Sequence, residues 1–308
     1  MLKTPTLPSA TTVERLFAGE LPLQPLTPEA STRRYFRPLG DQAEGWLLVR
    51  STQAAPVATT LWLQSLDIPV PALGPEVPGA YLVQDLGDRH LAQQPGEEAY
   101  QALLEAGARL HAHPLPENHL QRQFALDVPL FQRELKQFRE SYLQAFRKQA
   151  WSPEKAEQID RLCQDLAHAA AAGPWATQHR DFHSRNVLLP AEGGIAILDH
   201  QDLRPGPVFY DLASLATDAY VDLPPAVERQ IQQAAEELAS RCGLGFHEAQ
   251  KLWQHCALQR VLKALGTFGK LLVEGRSDYA EAEARALRHA RRLLADCPEF
   301  QALAEWLA

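Results

Sequence analysis

The sequence contains few features of a secreted or membrane-bound protein. Its 308 residues include only four cysteines, which form no CxxC pair and fall in segments with a helical pattern. We therefore expect buried free thiols and no disulfide framework. No apolar run approaches the ~18 residues that a membrane span requires. The first residues lack the continuous apolar core of a signal peptide, so a cytoplasmic protein is expected.

An excess of positive charge is also absent. The chain has 30 Lys and Arg against 38 Asp and Glu, which gives a formal net charge of -8. A nucleic-acid-binding protein normally carries a basic patch or stripe, so binding to nucleic acid is not expected. A charged small-molecule substrate remains compatible with this composition if the positive charge is local. We expect small-molecule partners, no membrane partner, and a monomer or weak dimer.

The length and the local patterns predict two lobes of different character. A chain of 308 residues exceeds what one core usually holds. Residues 1–88 carry most of the strand-like signal, with short apolar runs at 34–39, 46–50 and 81–86 and one helix at 57–66. Residues 89–308 are mostly helical in pattern. The predicted fold is therefore α+β, with a small β-rich N-lobe and a larger helical C-lobe.

The C-lobe patterns predict helices joined by a single hairpin. Two short strands around the turn at 191–194 are the only β structure expected in this half. The predicted helices are 97–113, 129–150, 153–172, 210–220, 225–242, 246–273, 278–296 and 298–308.

The hairpin begins with an unusual concentration of titratable side chains, QHRDFHSRNVLLP, at Gln178–Pro190. In one interpretation, His179, Asp181 and His183 alternate along a strand and hold zinc. In another, the letters match the catalytic loop H-R-D-x-x-x-x-N of kinases, in which the Asp takes the proton of the attacking hydroxyl and the Asn holds magnesium. The zinc interpretation gives no role to Asn186.

A second acidic residue after the next apolar strand favours the kinase interpretation. Asp199 ends the run Ile197-Leu198-Asp199. Magnesium prefers hard oxygen donors and bridges nucleotide phosphates. Asn186 and Asp199 are therefore the predicted Mg²⁺ ligands, and Asp181 is the predicted catalytic base or the group that orients the acceptor.

These motifs resemble those of the aminoglycoside phosphotransferase family of small-molecule kinases, which share the two-lobed fold of protein kinases. The family pattern HGDLHxxN is matched by HRDFHSRN, its (I/V)D strand end by ILDH, and its GDPxxDLA-like segment by GPVFYDLASL at Gly206–Leu215. The resemblance implies an ATP- and Mg²⁺-dependent phosphotransferase. It also implies structural roles for His179, which supports the loop, and for Asp211, which accepts backbone N–H bonds from it.

Longer segments resemble the bacterial members of the family that phosphorylate the anomeric hydroxyl of N-acetylmuramate and N-acetylglucosamine. They include RRYFR at Arg33–Arg37 and LQRVLKALGTFGKL at Leu258–Leu271. This likeness implies a sugar acceptor and a place in cell-wall recycling. The residues predicted to contact that sugar are Arg185, Gln201, Asp202 and Lys263.

The nucleotide side departs from the usual kinase pattern. The third strand ends in Arg50 where a lysine is usual, and the helix that follows has no glutamate to pair with it. No G-x-G-x-x-G is present, and the segment Glu29–Arg34 takes its place. Arginine can hold phosphate oxygens in a bidentate manner. The predicted nucleotide contacts are Ser31, Thr32, Arg33, Arg34, Arg50 and the hinge residues Gln84 and Leu86.

Two other functions remain open at this stage. One is a different small-molecule kinase, acting on an aminoglycoside, choline or a related alcohol. The other is a pseudokinase that binds nucleotide or a partner without turnover, which the missing Lys–Glu pair suggests. The retention of Asp181, Asn186 and Asp199 favours an active enzyme.

Overall fold

The computed structural model describes residues 4–26 and 33–308 of the chain. The chain divides into two compact units. The first comprises Met1–Leu91 with Asn186–Gln201, and the second comprises Ala92–Arg185 with Asp202–Ala308. The hairpin, which the sequence assigns to the C-lobe, thus belongs largely to the first unit. The nucleotide and substrate roles given to the two lobes stay predictions. Of the helices in the described ranges, none is long and apolar enough to cross a membrane.

The elements of the first unit are α1 (Ala10–Ala18), β1 (Leu23–Pro25), β2 (Arg34–Pro38), β3 (Trp46–Arg50), α2 (Val57–Ser65), β4 (Leu73–Val77) and β5 (Ala80–Gln84). The five strands form an antiparallel sheet in the order β1-β2-β3-β5-β4. The predicted hairpin of β2 and β3 is confirmed, with Arg34 opposite Arg50. The expectation of one helix in this lobe was wrong, since α1 precedes the sheet. Strands β1 and β4 are also absent from the sequence prediction, because β1 is short and β4 contains a glycine and a proline that obscure its pattern.

A short hairpin completes this unit. Strand β7 (Val187–Leu188) pairs with β8 (Ala196–Ile197) in the antiparallel sense. The Ile197 N–H donates to the Pro69 carbonyl at 2.7 Å, and the Leu189 N–H donates to the Arg89 carbonyl at 2.8 Å. These backbone hydrogen bonds explain why residues 186–201 group with the N-terminal sheet although they follow more than ninety residues of helical chain.

The second unit is mainly helical. The long helix predicted at 246–273 is confirmed as α8, and its buried face packs in the largest hydrophobic cluster. The helix predicted at 129–150 is instead α4, which continues into a π-helical segment at Phe138–Phe146. The helices are α3 (Glu97–His111), α4 (Val128–Gln137), α5 (Pro153–Ala170), α6 (Tyr210–Ala216), α7 (Pro225–Arg241), α8 (Phe246–Val273) and α9 (Ala280–Ala295), followed by a 3₁₀ segment at Pro298–Leu307.

The second unit also contains a pair of strands that corrects the sequence analysis. Strand β6 (Trp175–Gln178) pairs with β9 (Arg204–Pro207), so the expectation of a single region of β structure in this half was wrong. Proline and glycine make up most of β9, and these residues usually argue against a strand. Here Gly206 permits a close approach, since a Cβ added to it would lie 2.7 Å from the Cβ of Leu126.

Two glycines of α8 allow it to pack closely against the π-helical segment. A Cβ on Gly266 would lie 2.8 Å from the backbone nitrogen of Phe138, and one on Gly269 would lie 2.7 Å from the Cα of Tyr142. Backbone atoms cannot move aside as the end of a flexible side chain can. The segment GTFG therefore sets the distance between these two helices.

We expect Gly266→Ala to lower the free energy of unfolding by about 1–3 kcal/mol, because overpacking against the backbone outweighs the better helix propensity of alanine. Urea denaturation followed by circular dichroism measures the change. The matched control is Gly245→Ala at the N-terminus of α8, where an added Cβ has no neighbour within 4 Å in the part of the chain that the structure describes. Equal stability of the two variants would contradict the close packing.

Candidate active site

The loop that carries Asp181 is anchored at its start by a buried carboxylate. Asp211, which is fully buried in α6, accepts hydrogen bonds from the backbone N–H groups of His179 at 2.5 Å and Arg180 at 2.9 Å. The Nε2 of His111 lies 3.2 Å from the same carboxylate. The Asp211 N–H in turn donates to the side-chain oxygen of Gln178 at the end of β6. Asp211 thus accepts two backbone N–H groups at the start of the loop, and its supporting role in the reaction stays a prediction.

The same contacts hold Arg180 in an unusual backbone conformation. Its φ is 81°, in the left-handed region that favours glycine. The family pattern has glycine at this position. The guanidinium group of Arg180 is held by the carboxylate of Asp202 and lies 3.6 Å from Glu134. These ion pairs and the Asp211 hydrogen bonds offset the backbone strain.

Asp181 follows directly and meets two cations of α8. The Nζ of Lys263 lies 3.0 Å from its Oδ1, and the guanidinium of Arg260 lies 3.8 Å from the same oxygen. Burial alone would raise the pKa of the Asp181 carboxyl. Lys263, Arg260 and Arg180 outweigh burial and hold this pKa well below its ordinary value. Asp181 is consequently ionised throughout the neutral range.

Glu134 of α4 completes this charge network, and sequence analysis missed it. Its carboxylate accepts a hydrogen bond from Gln259 at 2.8 Å and lies 3.9 Å from the Nζ of Lys263. Only 9% of the residue is exposed. The available signal was its position on the apolar face of α4, between Leu130 and Phe138 at helical spacing. A charged residue in such a stripe needs buried partners.

A pocket of about 100 Å³ opens beside Asp181 within this unit. Asp218 holds the part of the loop that borders this pocket. Its carboxylate accepts hydrogen bonds from the backbone N–H of Ser184 at 2.7 Å and of Tyr220 at 2.8 Å. The sequence analysis did not identify this residue. Burial, with a contribution from Arg260, lowers the pKa of His183 to about 3, so its imidazole is neutral. The pocket is lined mainly by Asp181, His183, Ser214, Thr217, Tyr220, Arg260, Lys263, Thr267 and Phe268.

The geometry does not support the zinc interpretation of the loop. His179, Asp181 and His183 follow the end of β6 and do not lie on a strand. Across residues 4–26 and 33–308, they do not gather into a group with metal-ligand spacing. The alternation that suggested zinc therefore has no structural counterpart.

The first unit holds the two predicted magnesium ligands at the base of its hairpin. The Leu198 N–H donates to the Asn186 carbonyl at 2.8 Å, which ties the start of one hairpin strand to the end of the other. Asp199, one residue later, has a φ of 59° and a side chain that is 47% exposed. An exposed carboxylate and a nearby amide are hard oxygen donors, and they fit Mg²⁺.

The cation beside Asp199 is Arg33. Its Nη1 lies 3.8 Å from the Asp199 Oδ1, and Arg33 is 7% exposed. The side-chain amide of Gln201 donates to the same Asp199 oxygen at 2.6 Å. Arg50 lies elsewhere in this unit, with its guanidinium 4.9 Å from the ring centre of Phe36 and a hydrogen bond to the Phe17 carbonyl.

The other predicted contacts are distributed as follows. The Gln84 N–H donates to the Ala72 carbonyl, and the Gln84 side-chain oxygen accepts the Ala72 N–H. These two hydrogen bonds tie the end of β5 to the residue just before β4. Asp202 is paired with Arg180, and Arg185 stacks 4.2 Å from the ring centre of Tyr220. Ser31 and Thr32 lie outside the described residues. Arg34 is exposed on β2, and Leu86 follows β5. All of these ligand contacts stay predictions.

Residues 23–249 match the model of the phosphotransferase enzyme family, abbreviated APH. The chain belongs to this family. It is therefore a phosphotransferase of the kinase-like type, as the sequence motifs predict.

Known proteins are similar to the chain in sequence or in fold. The chain is 28% identical to the N-acetylmuramate/N-acetylglucosamine kinase of Pseudomonas aeruginosa, over 94% of this chain and 90% of that protein. The fold is similar to a choline/ethanolamine kinase family protein from Mesorhizobium loti, with a TM-score of 0.56, 15% identity, and coverage of 96% of this chain and 98% of the other. It is also similar to ADP-bound aminoglycoside phosphotransferase APH(2'')-Ib, with a TM-score of 0.58, 14% identity, and coverage of 90% and 99%.

We expect Asp211→Asn to destabilise the protein by about 2–4 kcal/mol, because an amide presents one acceptor oxygen where two backbone donors and His111 need partners. Urea denaturation measures the loss. The control is Asp222→Asn, whose carboxylate is 72% exposed and pairs with Arg285 at the surface. We expect that variant to lose no more than about 1 kcal/mol. Similar losses in both variants would contradict the role of Asp211 in holding the loop.

Proposed function

We propose that the protein transfers the γ-phosphoryl group of ATP, with Mg²⁺, to the anomeric hydroxyl of an N-acetylated amino sugar of the muramate and glucosamine type. The observation that supports this most directly is the carboxylate of Asp181, ionised by its three cations and set on the wall of a polar pocket. The substrate class is supported by the relatives of similar sequence, which are N-acetylmuramate/N-acetylglucosamine kinases. The ADP in a structure of similar fold supplies the nucleotide class.

In this proposal Asp181 orients the acceptor and is not a strong base. A carboxyl with a pKa held far below its ordinary value accepts a proton poorly, but it accepts a hydrogen bond well. An anomeric hydroxyl suits such a group, since the ring oxygen makes it more acidic than an ordinary alcohol. The transition state of phosphoryl transfer is loose in most analyses, so positioning contributes more than deprotonation.

The donor side of the reaction is assigned to the first unit. Asn186 and Asp199 would hold Mg²⁺, which neutralises phosphate charge when bound. Arg33 is the preferred arginine for a phosphate contact, because it already faces the Asp199 carboxylate. Arg50 is the weaker candidate, since its guanidinium is occupied by an aromatic ring and a backbone carbonyl. Among the hinge residues, Leu86 is preferred to Gln84, whose N–H is already used.

The pocket composition favours a sugar over a polycationic acceptor. Arg260 and Lys263 place two positive charges on its wall, next to Asp181. A polycationic aminoglycoside would call for an acidic pocket, and these two cations offset the carboxylates of Asp181 and Asp218 on the wall. His183 carries an Nδ1 that is buried and has no hydrogen-bond partner among the described residues. A neutral imidazole can donate to or accept from a sugar hydroxyl or an N-acetyl group, so we add His183 to the proposed sugar contacts.

We expect Asp181→Asn to lower kcat by roughly 10²–10⁴-fold, because the neutral amide accepts the hydrogen bond of the acceptor hydroxyl more weakly than a carboxylate and aligns it less well. ADP release is followed with ATP, Mg²⁺ and a panel of amino sugars, neutral sugars, choline and aminoglycosides. Asp222→Asn is the control with an exposed carboxylate. Turnover restricted to choline or aminoglycosides would overturn the proposed substrate. Binding of Mg-ATP without turnover on any acceptor would indicate a pseudokinase.

We expect Lys263→Met to move the acid limb of the pH–rate profile to higher pH. Lys263 favours the ionised form of Asp181, so its removal raises the pKa of Asp181, and activity that needs the carboxylate is lost at a higher pH as the solution is acidified. The profile is measured from pH 4 to 9, where the wild type should show no loss that is due to Asp181 and the variant should show one at the acid end. Lys270→Met on the same helix is the control, since Lys270 is exposed and pairs only loosely with Glu274. An unchanged acid limb would contradict the coupling of Lys263 to Asp181.

A further inference from the structure

A second cluster of chemically reactive side chains lies away from the acceptor pocket. It consists of His255 on α8, Cys297 just after α9, and Glu299 in the following 3₁₀ segment. One donor atom of each residue lies within 4.8 Å of the corresponding atoms of the other two. His255 and Cys297 are buried, while the Glu299 side chain is 39% exposed. None of the three has a role in the proposed phosphoryl transfer.

We propose that His255, Cys297 and Glu299 form a binding site for a thiophilic divalent cation of the zinc type, which fastens α8 to the C-terminal segment. Imidazole, thiolate and carboxylate are the three ligand types that zinc takes in proteins. The thiolate disfavours Mg²⁺ and Ca²⁺, which prefer oxygen donors. The partly exposed carboxylate leaves a path for entry and for a water molecule as the fourth ligand.

The present spacing is close to that of a coordinated set. In a tetrahedral zinc site, bonds of about 2.0–2.3 Å place neighbouring donor atoms roughly 3.3–3.8 Å apart. The three donor atoms here lie within 4.8 Å of one another. Glu299 can adjust its position, because its side chain reaches solvent and one of its oxygens already lies 2.9 Å from His255 Nε2.

One neighbouring cation competes with the metal and sets the cost of binding. The Nζ of Lys251 lies 3.3 Å from the Glu299 Oε1, and its side chain is 65% exposed. An exposed ion pair of this kind contributes little stability, so Lys251 can turn into solvent when the carboxylate binds a metal.

The ring of Phe300 packs edge-on against His255, with the ring centres 5.5 Å apart, and limits the rotation of the imidazole.

Coordination would exchange one proton for one metal–sulfur bond. The Cys297 thiol releases its proton to solvent as the sulfur binds the cation, and His255 binds through a neutral ring nitrogen. No oxidant or reductant takes part. Because the ligands come from α8 and from the chain just after α9, a bound cation would stabilise the folded chain by mass action.

The site can be tested by metal binding without any measurement of kinase activity. Zinc chloride is titrated into metal-free, untagged protein, and the thermal midpoint and Kd are measured. We expect zinc to raise the midpoint in the wild type. Both Cys297→Ser and Glu299→Gln should weaken binding at least tenfold. The matched control is Cys242→Ser, which removes a free thiol outside the cluster and should leave the Kd unchanged.

Cobalt substitution supplies a second, spectroscopic measurement. Co²⁺ bound to Cys297 should give a near-ultraviolet thiolate charge-transfer band that is lost in Cys297→Ser and kept in Cys242→Ser. If Cys297→Ser does not fold, Glu299→Gln alone decides the affinity test, because its side chain is partly exposed. The proposal is overturned if zinc produces no shift in the wild type. It is also overturned if shift and band persist at equal strength in both cluster variants.

Discussion

The carboxylate of Asp211 accepts hydrogen bonds from the first two backbone N–H groups of the catalytic loop, and the rest of that loop depends on them. Asp211 is fully buried, so water cannot replace either donor. The bonds hold Arg180 at a positive φ, and the next residue, Asp181, meets the cations of α8. The buried carboxylate of Asp211 thus fixes the backbone conformation of a short polar segment.

Helix α8 connects most of the features of the second unit. It supplies Arg260 and Lys263 to the carboxylate of Asp181, and Gln259 to that of Glu134. One to two turns later, Gly266 and Gly269 let the π-helical segment approach closely. In its N-terminal half, His255 lies 2.9 Å from Glu299. A substitution in this helix therefore affects packing and charge at the same time.

The charged side chains around Asp181 hold its carboxylate in place and keep it ionised, and they contribute less to the stability of the fold. Buried ion pairs cost desolvation energy that their attraction only partly offsets, and an apolar replacement is often as stable. In this network, however, each charged side chain limits the movement of a neighbouring one. Glu134 lies near both Arg180 and Lys263, and these two cations keep the pKa of Asp181 low. An acceptor-orienting carboxylate that stays ionised is the functional result we propose.

The sequence by itself determined the family, the catalytic loop motif, the long helix α8 and the central hairpin of the sheet, because these depend on local spacing and periodicity. It did not determine β6 and β9, since a strand rich in proline and glycine forms only against its partner. Nor did it identify Glu134 or Asp218, or show that Arg33 lies beside Asp199 while Arg50 contacts Phe36 and the Phe17 carbonyl. Those roles depend on which charges the tertiary structure brings within about 4 Å, where Coulomb attraction and lost hydration decide what a side chain does.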